Sequence, residues 1–277
     1  DQLQDRGEVD IIADFAAHIP GHVIGELLGC PAEDAPQLRL WSEQVVQFFD
    51  VDRSAEKKVL AEQAAREFCH YLEDLKRQRS RQPQGDLISK MLIDERAGHY
   101  TSDEFISTCM LLLMAGHGST IDVLGSGTHT LLQHPDAMAE LRSEPSLLPN
   151  GIQEMFRYEP QIPFFHRHEL LDVKIRDHHY PAGTTFGLLY GAANRDAAHF
   201  ERADKFNIRR TPNRHLAFGK GAHLCLGNHL ARMNMRVIFE ELLARTKDIQ
   251  QATDKVTYKP GLSVRGPVAL PVQLAFR

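Results

Sequence analysis

Thr101-Ser102-Asp103-Glu104 opens a helical pattern that runs to about Gln133, where His134-Pro135 stops it. At 1.5 Å per residue this is roughly 50 Å of helix, longer than a small domain is wide. Thr101 or Ser102 can serve as the N-cap, and Thr101 and Glu104 stand at capping-box spacing. Its middle, Ala115-Gly116-His117-Gly118-Ser119-Thr120, is followed by Gly125 and Gly127, which makes four glycines in twelve residues. Each costs about 1 kcal/mol relative to Ala in a helix interior, about 4 kcal/mol together. A helix carries such a load to pack closely, against another helix or against a bulky planar ligand. The segment alone leaves both readings open.

Other helices surround this one in sequence. Phe15 to Leu28 has apolar residues near helical spacing, and Pro20-Gly21 is expected to split it into two short helices. Gly29 offers a stop and Pro31 a fresh start. Pro36 to Phe49 reads as the next helix. Ser54 to Arg81 reads as a longer one, with Val59, Leu60, Ala64, Phe68, Tyr71 and Leu72 inside. Its basic tail, Lys76 to Arg81, is a solvated last turn favoured by the helix dipole. Short helices are predicted at Asp86 to Asp94, near 136–144 and at 147–158. After Pro160 short β-like runs appear, Val173 to Ile175 and Thr184 to Leu189, around a Pro181-Ala182-Gly183 turn. A loop-rich stretch from Asn194 to Ala222 precedes a helix from about Leu226 to Ala244. The tail, Val256 to Phe276, alternates around Gly266-Pro267 and reads as a hairpin. The expected fold is mainly α with a small β part, in a single domain over 1–277.

Composition narrows the function classes. The 277 residues hold 32 Lys+Arg against 37 Asp+Glu, a net charge of −5. That sign argues against bulk attraction to nucleic acid or an anionic membrane. The longest relevant apolar run, Cys109 to Ala115, is seven residues, against the roughly 20 that span a bilayer. Cysteines at 30, 69, 109 and 225 show no paired spacing, so neither a disulfide framework nor a zinc knuckle is indicated, and a reducing cytoplasm is the default.

Three segments can carry chemistry. In Phe218-Gly219-Lys220-Gly221-Ala222-His223-Leu224-Cys225-Leu226-Gly227, two glycines permit close approach of backbone to something flat. Cys225 stands just before a helical pattern, where unpaired N–H groups favour a thiolate, the form that binds metal. A small buried cysteine is the plain alternative. Glu154 and Arg157, spaced i,i+3, share one helix face. The third segment is the glycine-rich middle of the long helix.

Together and in this order these segments resemble the cytochrome P450 family. Phe218, Gly221, Cys225 and Gly227 meet its Phe-x-x-Gly-x-x-x-Cys-x-Gly signature, and Glu154 and Arg157 meet Glu-x-x-Arg. Gly191 to Asp196 and Pro212 to Gly219 look especially like soluble bacterial members. The resemblance implies that Cys225 is the axial thiolate of haem b, a ligation that favours O–O cleavage. It implies that Gly219, Gly221 and Gly227 let the loop approach the macrocycle, that Phe218 shields the sulfur, and that Ala115 and Gly116 border the haem. His223 and Arg167 fall where propionate partners stand; for His223 a backbone-satisfied loop histidine is the alternative. Glu154 and Arg157 take a structural role, with Lys205 or Arg210 as third partner. Ser119 and Thr120 become the candidate catalytic hydroxyls.

The implied function is a haem-thiolate monooxygenase that inserts one oxygen atom from O2 into a small organic substrate, in natural-product tailoring. Its partners would be that substrate, bordered by Ala115–Thr120 and Ile162 to Phe165, and a ferredoxin and ferredoxin-reductase type electron donor. A carrier protein or a completing N-terminal segment is also admitted. Two departures qualify the likeness. Gly118 stands where the family usually places an acid beside the alcohol at Ser119, so water, substrate or His117 would have to deliver protons. The chain begins at Asp1 rather than Met and resembles an N-terminally incomplete fold, lacking roughly the first quarter to third of a typical member. The expectation is that residues precede Asp1. A truncated binding or scaffold module with haem absent or inert is the rival, and a peroxide-driven haem-thiolate enzyme a third reading.

Overall fold

The computed structural model describes residues 3, 6–49, 54–261 and 264–277. Expectations touching Asp1, the Phe49 side chain and positions 262–263 lie outside the described residues. The backbone groups into two compact units, one of 1–125, 249–257 and 267–274, the other of 126–248, 258–266 and 275–277.

The first unit opens with β1 (Glu8–Asp10) and a single π-helical stretch, Ile11–Ala16. Then come α1 (Ile19–Leu28), α2 (Ala35–Val46), α3 (Ala55–Arg81), α4 (Leu87–Arg96) and the beginning of α5 (Ser102–Leu132). Pro20 does not split a helix as expected. It sits in the first turn of α1, where its missing N–H costs nothing, and the break falls before it, at residues 17–18. Gly29 caps α1 with φ +90°, a left-handed conformation that glycine reaches without strain.

In α3 the buried residues are Ala61, Ala64, Phe68, Leu72, Leu75 and Arg79, a stripe at i+3 and i+4 steps. Val59 and Leu60, expected inside, are 61% and 47% exposed. They precede the stripe, which starts at Ala61, and stay exposed among the described residues. Phe68 stacks on Trp41 with ring centroids 5.5 Å apart, which binds α3 to α2. The basic tail of α3 is largely occupied: Lys76 pairs with Glu95, Arg77 with Asp74 and Arg79 with Asp86.

The capping box forms at the start of α5. Thr101 N–H donates to Glu104 Oε2 at 2.7 Å, and Glu104 N–H to Thr101 Oγ1 at 3.3 Å. Strand β1 pairs antiparallel with the C-terminal strand at Val9↔Val272. Averaged over 18 residues, Ile11–Leu28 and Ser102–Leu132 are apolar enough to cross a membrane, although no uninterrupted apolar run suggested it; about half of each stretch is buried against the protein itself.

The second unit takes the end of α5, then α6 (Pro135–Ser143) and α7 (Leu148–Tyr158). Two antiparallel pairs follow, β2 (Phe165–His168) with β5 (Thr185–Leu188) and, between them in the chain, the hairpin of β3 (Val173–Ile175) with β4 (His178–Tyr180). A single turn, α8 (Tyr190–Ala193), leads into a long irregular stretch that ends at α9 (Asn228–Arg245). Packing of α7 on α9 centres on Ile152, Met155, Phe156, Met235 and Phe239, all buried.

The C-terminal segment differs from the expected hairpin. Strand β7 (Pro271–Phe276) pairs with β1 on one edge and β6 (Thr246–Gln251) on the other. Only a short ladder, Lys259 N–H to the Gly266 carbonyl and Val268 N–H to that of Thr257, joins the Val256 side of the Gly266-Pro267 turn to its far side. Alternation specifies strands but not their partners.

The glycines of α5 do not share one purpose. A Cβ at Gly125 would come within 2.7 Å of Pro267 Cγ, whereas at Gly118 it would meet nothing within 4 Å. Gly118→Ala is therefore expected to raise stability by about 1 kcal/mol through helix propensity. Gly125→Ala is expected to lower it by about 1–3 kcal/mol through overpacking. Urea unfolding of the two variants checks the opposite signs.

Candidate functional site

In the second unit the site is built on α7. Glu154 and Arg157 are fully buried and face each other across one turn, with Nε to Oε2 at 2.7 Å and Nη2 to Oε1 at 2.8 Å. The remaining guanidinium hydrogens reach forward to the carbonyls of Asn194 and Ala203, each at 2.8 Å, and of Lys205 at 2.9 Å. The third partner is Arg210, whose Nε lies 3.0 Å from Glu154 Oε2. Lys205 offers only its carbonyl here, its ammonium lying beside Asp204. Asn213 Nδ2 and the Asn207 N–H also donate to the carboxylate, at 3.0 and 2.8 Å. A carboxylate fully removed from water is tolerable only with such a complete set of donors.

This clasp holds the irregular stretch that leads to the cysteine loop. The buried Asn194 side chain accepts the Leu216 N–H at 2.7 Å. Phe218, 7% exposed, packs on Phe156 of α7 with centroids 4.6 Å apart. Beyond it Gly219 and Gly221 adopt φ of +68° and +77°, so the two glycines are required by the turn itself. The turn closes when Cys225 N–H donates to the Phe218 carbonyl at 2.9 Å.

Cys225 then stands exposed three residues before the first residue of α9, and it differs from the other thiols: Cys30 and Cys109 are buried and Cys69 half-buried. The expected thiolate stabilisation is present but outweighed. Packing around the sulfur raises its pKa, while the Gly227 N–H and the Arg232 cation pull it down. Leu224 and Leu226, on either side, are 53% and 83% exposed.

Arg167, on β2 opposite Phe186, donates to the His166 carbonyl at 2.8 Å and to the Tyr190 hydroxyl at 3.4 Å. Among the described residues no carboxylate pairs with it. His223 closes the short turn Gly221–His223 and is exposed. A soft sulfur ligand, flanking apolar side chains bare to solvent, and a guanidinium without a carboxylate suit a flat apolar cofactor with acidic arms.

The other predicted residues lie on α5 in the first unit. Ala115 is exposed, and Gly116 packs against Ile24, whose Cγ1 a Cβ there would meet at 3.2 Å. Ser119 Oγ donates to the Ala115 carbonyl at 2.8 Å and Thr120 Oγ1 to that of Gly116 at 3.2 Å, so both hydroxyl protons are committed to the helix. His117 turns into the core beside Gly21 and is 3% exposed. Burial, reinforced by Arg39, lowers its pKa to about 4. It is a neutral core ring, a poor proton donor at neutral pH.

Three site neighbours escaped the sequence reading. Gln153, Asn228 and Arg232 form a second polar cluster beside the first. Gln153 adjoins Glu154 and Arg232 lies two turns beyond Cys225, but only the fold brings them to Phe218.

A glycine-hinged cysteine loop, locked by a buried Glu-x-x-Arg clasp ahead of a helix, is the arrangement of the haem-thiolate family to which comparison with known proteins leads. The sequence profile of the family described as Cytochrome P450 matches residues 33–264. The biotin biosynthesis cytochrome P450 of Bacillus subtilis is 36% identical over 98% of this chain and 69% of its own length. The cyclomarin C epoxidase CymV of Salinispora arenicola is 36% identical over 99% of this chain and 70% of its own. Among solved structures, P450BioI in complex with an acyl carrier protein ligated to hexadec-9Z-enoic acid superposes with a TM-score of 0.95, at 35% identity, covering 99% of this chain and 70% of that one. The chain belongs to the cytochrome P450 family and is a monooxygenase of that haem-thiolate class.

Two outcomes follow. Arg157→Ala leaves a buried carboxylate short of its main partner and should cost about 3–5 kcal/mol, read as a fall in the thermal midpoint, with Arg157→Lys only partly restoring it. For His117 the folded pKa lies below the unfolded one, so its contribution is full above about pH 6.5 and is lost as pH falls toward 4. Unfolding free energy should decline on acidification from pH 7 to 5 by up to about 1.4 kcal/mol per unit, and less steeply in His117→Gln.

Proposed function

We propose that the chain holds haem b through the Cys225 thiolate and inserts one oxygen atom from O2 into a small organic substrate in a natural-product tailoring step. The observation that carries this reading is the presentation of Cys225: an exposed sulfur on a turn of two left-handed glycines, with the Gly227 N–H aimed at it and bare leucines beside it. When bound, the haem supplies a thiolate-ligated iron whose electron richness favours O–O cleavage.

The chain's own residues bind, orient and shield. Phe218 covers the flank of the sulfur. Gly219, Gly221 and Gly227 keep side chains out of the way of the macrocycle. Arg167 and His223 take the propionates, a role supported by the guanidinium's freedom from any carboxylate among the described residues. Glu154 and Arg157 hold the loop and touch no reactant. By the family likeness, Ala115 and Gly116 are also assigned to the cofactor. Ser119 and Thr120 manage protons there. Because each hydroxyl hydrogen rests on a helix carbonyl, each oxygen offers its lone pairs to orient a water or a substrate hydroxyl, and it donates a proton only after turning from that carbonyl.

The relatives named for biotin biosynthesis and cyclomarin C epoxidation support a biosynthetic setting. Electrons would come from a ferredoxin and its reductase, in the cytoplasm. A substrate carried on an acyl carrier protein is supported by the likeness to P450BioI. We read 1–277 as one functional domain, because the family match at 33–264 runs through both compact units.

A second reading, peroxide-driven turnover, is favoured by Gly118: no acid stands there, and a side chain would meet open space. Turnover with peroxide but none with reductase and O2 would select it. The first reading predicts a thiolate-type Soret band in the carbon-monoxide difference spectrum of the reduced protein, abolished in Cys225→Ser. Failure to take up haem when expressed with excess haem would sink it and leave a binding or scaffold module.

A further inference from the structure

The polar cluster beside the Glu-x-x-Arg clasp forms a continuous path around Phe218. Asn228 Nδ2 donates to the Cys225 carbonyl at 2.7 Å. Arg232, one turn along α9, donates from Nη1 to Asn228 Oδ1 at 2.5 Å and to the Asn228 carbonyl at 3.0 Å. Its Nε donates to Gln153 Oε1 on α7 at 3.1 Å. The same oxygen lies 3.2 Å from His215 Nε2, while His215 Nδ1 accepts the Ala217 N–H at 3.2 Å. Because Nδ1 accepts, the ring proton sits on Nε2 and points at Gln153. The Arg232 guanidinium lies over the Phe218 ring, 4.3 Å from its centroid. The path thus starts at the Cys225 peptide, ends at residue 217, and roofs the phenyl ring between them.

Every hydrogen-bond partner of Arg232 in this path is electrically neutral. Gln153 and Asn228 are amides, and His215, pushed down to about 4 by burial, is uncharged at neutral pH. Among the described residues no carboxylate pairs with Arg232. A guanidinium held only by neutral groups keeps its full field, and in a half-buried place that field is weakly screened. Through Asn228 this charge is tied to the Cys225 peptide, and it favours the ionised form of the Cys225 sulfur.

We infer that Arg232 is a positioning residue whose unpaired charge, aimed by Gln153 and Asn228, draws electron density from the Cys225 thiolate and raises the reduction potential of the haem it ligates. Gln153 is the element that leaves this charge unpaired; a glutamate at the same place would cancel it. The inference rests on Cys225 as haem ligand, which the carbon-monoxide spectrum tests separately.

The experiment is potentiometric titration of the haem-loaded protein at about pH 8, where His215 stays neutral. Gln153→Glu keeps the shape and the acceptor and adds a negative charge, so the potential should shift downward with the thiolate Soret band intact. Arg232→Gln should shift it the same way, and Arg232→Lys should stay closer to the parent. An unchanged potential in Gln153→Glu with the thiolate band intact overturns the inference. If that variant takes up no haem, equal potentials in Arg232→Lys and Arg232→Gln overturn it instead. A parent protein without a thiolate band would sink the ligand assignment and not this inference alone.

Discussion

The second unit depends on one buried carboxylate. Glu154 has no access to water, and two guanidinium groups, an amide and a backbone N–H satisfy it. Such a charge contributes little net stability when fully paired and costs several kcal/mol when a partner is lost. What it secures is order. Arg157 and Arg210, fixed on Glu154, spend their other donors on five backbone carbonyls, those of Asn194, Glu201, Arg202, Ala203 and Lys205. That stretch has no regular helix or strand to satisfy its peptide groups, so side-chain donors take the place of a ladder.

The cysteine loop inherits its position from this arrangement. Phe156, one residue before Arg157, forms the surface on which Phe218 packs, and Phe218 in turn receives the Cys225 N–H on its carbonyl. Rigid support under an exposed nucleophilic atom is the usual design of a cofactor site: the supporting groups are dry and fully paired, and the ligand-facing groups are left unpaired. Arg157 has every donor used, whereas Arg167 in the same unit pairs with no carboxylate among the described residues. The raised thiol pKa of Cys225 fits the same division. The Gly227 N–H and the Arg232 cation favour the thiolate, and the packing around the sulfur outweighs them.

Much of this was legible before any fold was known. Local signals were read correctly where a few adjacent residues decide the outcome: the Thr101–Glu104 capping box, the Gly29 stop, the strand at 173–175 and the run Thr184 to Leu189, whose strand spans Thr185–Leu188. The motif residues were found because their chemistry is carried in short, ordered spacings. Errors arose where a choice depends on what lies across the core. Val59 and Leu60 are apolar and helical, but the face of α3 that is covered begins at Ala61. The C-terminal alternation specified a strand, yet β1 and β6 are its partners. His117 looked available for proton delivery and is packed against Gly21 instead.

By itself the sequence determined the class of this protein: a long glycine-bearing helix, a Glu-x-x-Arg helix and a glycine-hinged cysteine, in that order, are enough because backbone geometry and ligand chemistry act over a few residues. Only the tertiary structure decided that Arg210 and not Lys205 completes the buried clasp. It alone joined Gln153 and Asn228 to Arg232 and laid that guanidinium over the Phe218 ring, and separated the glycines of α5 into one that is packed tight and one that faces open space. These are distances between side chains far apart in the chain, and they are set by how whole helices meet, which no local pattern encodes.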